Sequence, residues 1–84
     1  MRIVWTKTAW KDYLHWQYTD KKKLKRINVL IKAILREPYE GIGNPEQLKH
    51  DLQGYWSRRI DSEHRLVYSF NNSELEIVAC RFHY

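Results

Sequence analysis

Apolar positions recur at helical spacing in the first half of the chain and alternate in the second. Arg2 to Trp5 is a short β-branched and aromatic run, which predicts an opening strand. Thr6 or Thr8 then offers a side-chain oxygen to the free amides of a first helix. Between Ala9 and Tyr18, the residues Trp10, Tyr13, Leu14 and Gln17 return every three or four positions. This helix is therefore expected to pack through Trp10, Tyr13 and Leu14. Thr19 and Asp20 interrupt the pattern with capping residues, and a stronger stripe follows at Leu24, Ile27, Ile31, Ile34 and Leu35. The second helix must stop near Glu37, because Pro38 disfavours α conformation in the residue before it.

Residues 39–45, YEGIGNP, have loop composition, and beyond them the period falls to two. Tyr55 to Ile60, Arg65 to Phe70 and Leu75 to Phe82 read as strands, divided by the turn clusters Asp61-Ser62-Glu63-His64 and Asn71-Asn72-Ser73. A short extra strand around Leu48 to His50 also fits. The order of elements predicts an α+β fold, with the N-terminal strand and helical hairpin packed on an antiparallel β-sheet. With 84 residues, the chain is expected to form one domain spanning 1–84. A chain of this length buries only ~60–65% of its unfolded surface, so its four Trp, six Tyr and two Phe matter as dense core material.

Charge narrows the partners. Fifteen Lys and Arg against ten Asp and Glu give a net charge of +5, which favours a polyanion such as nucleic acid, or an acidic protein. The single Cys80 excludes an intramolecular disulfide and a cysteine-rich zinc module, and fits a cytoplasmic location. The spacing Cys80-x-x-His83 offers two metal ligands at best, so neither metal nor cofactor is expected. Gly41, Gly43 and Gly54 do not make a phosphate loop. No apolar run reaches signal-peptide length or the ~18 residues of a membrane span, so no membrane partner is expected.

The remaining chemistry lies in the second half: Glu46, Lys49, His50, Arg58, Arg59, Glu63, His64, Arg65, Arg81 and His83. RNA carries its own nucleophile, the 2′-hydroxyl. Cleaving it takes a base for that proton, an acid for the leaving 5′-oxygen and cations for the phosphate. Carboxylate, imidazole and guanidinium cover these roles without a metal. The alternative is that these are solvated charges guarding sheet edges.

The stretch Lys49-His50-Asp51-Leu52-x-Gly54-Tyr55-Trp56-Ser57-Arg58-Arg59-Ile60, the segment Glu63-His64-Arg65-Leu66-Val67-Tyr68 and the end Cys80-Arg81-Phe82-His83-Tyr84 resemble the YoeB toxins of the RelE/ParE superfamily. The similarity continues through Trp5, Trp10, Tyr13, Trp16, Asp20 and Asn28, over essentially the whole chain. The resemblance implies a RelE-like microbial ribonuclease fold. It also implies a bacterial type II toxin that cleaves messenger RNA in the ribosomal A site and is silenced by a cognate YefM-like antitoxin. By the same resemblance Glu46 matches the general base, His83 the general acid and Arg65 the arginine that supports the phosphate. Lys49 matches a further cation there and Tyr84 a terminal aromatic beside the substrate. Arg59 and His50 join Lys49 and Tyr84 as candidate RNA contacts. A ParE-like topoisomerase-binding toxin without nuclease activity, and a small basic nucleic-acid-binding module, are the alternatives; a homodimer is left open.

Two geometric questions stay open in the sequence. A tight hairpin at Asp61 to His64 would place Arg65 on one sheet face with Arg58 and Trp56, and Arg59 on the other. His83 joins that face if the 71–73 connection acts as a three-residue loop, and leaves it if two residues suffice. The basic run Lys21, Lys22, Lys23, Lys25 and Arg26 reads either as a solvated helix face or as a footing on ribosomal RNA. Trp5 and Trp10 are expected in the core, and His15, His50 and His64 read as ordinary polar residues, with His50 close enough to Glu46 in sequence to touch substrate.

Overall fold

The computed structural model describes residues 1–83. Strand β1 (Arg2–Trp5) leads into helix α1 (Lys7–Thr19) and helix α2 (Lys21–Arg36), followed by β2 (Glu46–Gln47), a single 3-10 turn (His50–Leu52), β3 (Trp56–Arg59), β4 (Arg65–Asn71) and β5 (Glu74–Ala79). Both predicted helix starts are built by side-chain caps. The Thr6 hydroxyl oxygen accepts the Ala9 amide at 3.0 Å and donates to the Val78 carbonyl at 2.7 Å, so one residue caps α1 and fastens it to β5. Asp20 closes α1 through its own amide and opens α2 by accepting the Lys22 and Lys23 amides, which leaves a one-residue link between the helices. Each such cap stabilises by about 1 kcal/mol. Glu37, the residue before Pro38, ends α2 as expected.

The five strands form one sheet in the order β1-β5-β4-β3-β2. Four of them are antiparallel neighbours, while β1 lies parallel to β5 at the edge, making the sheet mixed. The extra strand expected at 48–50 falls instead at Glu46–Gln47, and His50 to Leu52 coil into the 3-10 turn.

The helical hairpin covers one face. From α2 the stripe Ile27, Leu30, Ile31 and Ile34 is buried against Leu66, Tyr68, Leu75 and Ile77 of the sheet, and each fully covered aliphatic side chain stabilises by roughly 1.5–3 kcal/mol. Helix α1 is turned from its predicted face. Its buried residues are Ala9, Asp12 and Trp16, with Tyr13 and Leu14 half-buried. Trp10 is 49% exposed, stacked on Tyr13 and set edge-on to the half-buried Trp5. The cause is polar: Asp12 and Trp16 both bond the backbone of Cys80, and only this rotation lets them do so.

Arg58 explains how the chain after α2 is drawn onto the sheet. It is 0% exposed on the helix-covered face. Its guanidinium donates to the Tyr68 hydroxyl and to the carbonyls of Ile42, Glu37 and Glu40 at 2.6–3.1 Å. Tyr68 in turn donates to the Pro38 carbonyl at 2.7 Å. Gly43 completes this seam, since at φ +86° a side chain there would meet Leu30 Cδ2 at 2.8 Å and the Arg58 Cβ at 3.1 Å.

Candidate functional site

The sheet face away from the helices carries the candidate chemistry, and register alone defines who shares it. Arg59 pairs directly with Arg65, Ser57 with Val67, and Glu46 with Ser57. Opposed residues in an antiparallel pair share a face, so Glu46, Ser57, Arg59, Arg65 and Val67 lie together. This corrects the tight-hairpin expectation: Arg59, not Arg58, accompanies Arg65. The connection spans five residues because Ile60 leaves the ladder and turns into the core, with its amide bonded to the His64 carbonyl. Ser57, Val67 and Ala79 are almost fully buried and make a floor of small side chains. With strands ~4.8 Å apart and a rise of ~3.4 Å per residue, the Cα atoms of Glu46 and Arg65 stand roughly 12 Å apart across that floor.

Each candidate is held differently. Glu46 is exposed on the short edge strand β2. Lys49 and His50 are exposed at the start of the 3-10 turn, along a groove also lined by Gln47, Leu48 and Gln53. His50 has φ +58°, and the turn is fastened by bonds from Leu48 to Tyr55 and from Gln53 to His50. Arg59 is exposed, whereas Arg65 is only 8% exposed, with Nη1 donating to the carbonyls of Asp61 at 2.9 Å and His64 at 3.2 Å. Backbone carbonyls fix this guanidinium in position without neutralising its charge.

The tail after β5 comes back to Arg65. Asn72 and Ser73, both in the left-handed region, make a two-residue turn, which by parity alone would send His83 to the other face. A bulge intervenes: Tyr68 pairs with Ile77 and Val67 with Ala79, so Val78 is an extra residue and the parity resets. Beyond it, the Arg65 amide donates to the Phe82 carbonyl at 2.9 Å, and exposed His83 follows directly in the chain. Tyr84 lies outside the described residues.

Three anchors of this tail were missed by the sequence reading. Asp12 Oδ2 accepts the Cys80 amide at 3.0 Å, and the Trp16 indole donates to the Cys80 carbonyl at 2.8 Å. His64 Nδ1 accepts the Phe82 amide at 2.8 Å. The available signal was a carboxylate at three- and four-residue spacing between Ala9 and Trp16, in a stripe otherwise apolar. Burial pushes the Asp12 carboxyl upward, against the lowering pull of the Cys80 amide and of Arg81. Burial likewise pushes the Cys80 thiol up to about 12, which makes it a packing group and not a nucleophile.

The loop beneath Arg65 is tied to the basic run of α2. Lys23 pairs with Asp61 at 2.8 Å, and Arg26 donates to the Arg59 carbonyl, so these two cations brace the structure while Lys21, Lys22 and Lys25 remain exposed. Partial burial pushes the Asp61 carboxyl upward, but the Lys23 ammonium and the amides of His64 and Glu63 outweigh it and hold it at about 2, below its ordinary 3.8. A lowered folded value contributes stability that is complete above the ordinary value and lost as pH falls through the folded one. Between pH 4 and 2, wild-type stability should therefore fall more steeply than that of Asp61→Asn in urea titrations. Parallel curves would remove Asp61 from this role.

A helical hairpin on one face of a mixed five-stranded sheet is the fold of the RelE-like toxins. Residues 5–84 match the family model for the YoeB-like toxin of bacterial type II toxin-antitoxin systems. The chain is 62% identical over 84 residues to Toxin YoeB of Synechocystis, covering 100% of this chain and 98% of that one. A solved YoeB/ParE toxin from Agrobacterium tumefaciens superposes with a TM-score of 0.97 at 51% identity, with both chains fully covered. YoeB of Staphylococcus aureus, at 47% identity over 100% of this chain and 98% of that one, is solved as a dimer (TM-score 0.94) and in a heterotetrameric complex with YefM (TM-score 0.92). The chain belongs to the YoeB-like toxin family of type II toxin-antitoxin systems. No described helix is long and apolar enough to cross a membrane.

Proposed function

We propose that the chain is an endoribonuclease that cuts messenger RNA in the ribosomal A site and so stops translation in the cytoplasm. The observation carrying this reading is the common face of Glu46, Arg59 and Arg65, with the tail leading to His83 bonded to the Arg65 backbone. Glu46 takes the proton from a 2′-hydroxyl, whose oxygen attacks the adjacent phosphorus in line. His83 protonates the leaving 5′-oxygen, so the products are a 2′,3′-cyclic phosphate and a 5′-hydroxyl. Arg65 and Lys49 offset the charge that builds on the phosphate. Arg59 and His50 contact the RNA backbone, and Tyr84 stacks on a base. No metal takes part.

The ribosome is needed because Glu46 and His83 are both exposed, one on a two-residue edge strand and the other on the returning tail, and must be oriented on one phosphodiester to act together. Orientation of message and toxin on a common platform supplies the missing rate, with exposed Lys21, Lys22 and Lys25 as a basic footing. A YefM-like antitoxin is the silencing partner and a homodimer the free state, readings supported by the S. aureus YoeB-YefM complex and YoeB dimer.

A purified translation reaction on a defined message tests this. Message fragments with 3′ ends inside A-site codons are expected, at a rate well above that on bare RNA. Intact message, with the protein instead inhibiting a topoisomerase, would replace this reading with the ParE-like one.

A further inference from the structure

We infer that His64 is a positioning residue for the proposed cleavage, acting as a latch that sets the distance between Arg65 and His83. This deepens the nuclease reading above and rests on it.

His64 is 7% exposed and bonded at every polar atom of its backbone. Its amide donates to Asp61 Oδ1 at 2.7 Å, which fixes the loop. Its carbonyl accepts the Ile60 amide at 3.0 Å and Arg65 Nη1 at 3.2 Å. Its ring accepts the Phe82 amide through Nδ1 at 2.8 Å, while the Phe82 carbonyl takes the Arg65 amide at 2.9 Å. The three bonds close a circuit: His64 ring to Phe82, Phe82 to the Arg65 backbone, and the Arg65 guanidinium back to the His64 carbonyl. One side therefore holds the phosphate-binding cation and the other the residue immediately before the candidate acid.

A residue present only for packing would not need this geometry. The ring does pack, edge-on to Trp16 at 4.8 Å between centroids and 6.1 Å from the Phe82 ring. Yet the latch depends on a lone pair at Nδ1, so the ring must carry its proton on Nε2, which lies 3.7 Å from the exposed Glu63 carboxylate. Phe82 needs the hold because it sits at φ +68°, a conformation that L side chains rarely adopt. Without the ring acceptor, Phe82 keeps only the bond from the Arg65 amide to its carbonyl, so its backbone can relax out of that region and carry His83 with it.

The test uses two substitutions with opposite expectations. Asparagine places Oδ1 as many bonds from Cα as Nδ1 is, so His64→Asn keeps the acceptor; His64→Leu keeps apolar volume and loses it. On programmed ribosomes, His64→Leu should lower kcat for message cleavage by about 10- to 100-fold, the scale of a displacement near 1 Å, with KM for ribosomes within about 2-fold. His64→Asn should stay within a few-fold of wild type. Independently of cleavage, hydrogen exchange at the Phe82 amide should accelerate at least about 10-fold in the Leu variant and not in the Asn variant.

Equal kcat in folded His64→Leu and wild type would overturn the inference, as would equal loss of kcat in the folded Asn and Leu variants. Should the Leu variant fail to fold, His64→Asn decides alone: near-normal kcat with slow Phe82 exchange supports the latch, and a folded but inactive Asn variant overturns it. If wild-type protein cuts no message, the nuclease reading fails, and the exchange measurement still accepts or rejects the latch.

Discussion

Glu46→Gln and His83→Gln should each lower A-site cleavage by about 10²- to 10⁴-fold, the range that general acid-base groups contribute. Both side chains are exposed, and Glu46 stands on a two-residue edge strand, so neither change should move stability by more than about 0.5 kcal/mol. Loss of rate without loss of fold then assigns the chemistry to the side chain itself. A base and an acid that act on one phosphodiester work as a unit, so the double variant should fall little below the worse single variant. Mapping message 3′ ends in a purified translation system, beside urea midpoints for each protein, provides both readouts. A Glu46→Gln protein cutting within a few-fold of wild type would remove Glu46 as the base.

The other large effect concerns architecture. Arg58→Met should cost about 2–4 kcal/mol, because it orphans several hydrogen-bond acceptors at once and leaves part of their volume empty. Those acceptors are the Tyr68 hydroxyl and the carbonyls of Glu37, Glu40 and Ile42. For an 84-residue chain, with total stability of roughly 4–13 kcal/mol, this is a large share. Arg58→Lys should recover little, since an ammonium cannot reach as a planar fork to four partners. Protease nicking should appear first between 37 and 42. A shift in urea midpoint equivalent to less than about 1 kcal/mol would show that water replaces Arg58 without difficulty.

Much of the α+β plan was legible because its signals are local. The α2 stripe, the caps at Thr6 and Asp20 and the stop before Pro38 depend only on residues a few positions apart. The face of α1 differs from the one its apolar spacing predicts because the Asp12 carboxylate is buried to bond Cys80, 68 positions away. The parallel pairing of β1 with β5 has no local signature either. Within the candidate site, residue types and the family resemblance point to Glu46, Arg65 and His83, but their mutual placement depends on two irregularities. Ile60 drops out of its hairpin and Val78 bulges, and neither is the glycine or proline that marks such a break. His64 was hidden by its position in a turn cluster, where a histidine is ordinarily solvated.

The pairing of β1 with β5 has a consequence for biosynthesis. Residues 2–5 meet residues 74–77 as their neighbours in the sheet, so the first strand waits for its partner until nearly the whole polypeptide has been made. The Thr6 bond to Val78 waits with it, and the Asp12 and Trp16 bonds to Cys80 wait slightly longer. Assembly order thus withholds the tail from its anchors until every other element exists, and a chain stopped before β5 leaves the first strand, Thr6, Asp12 and Trp16 without their partners.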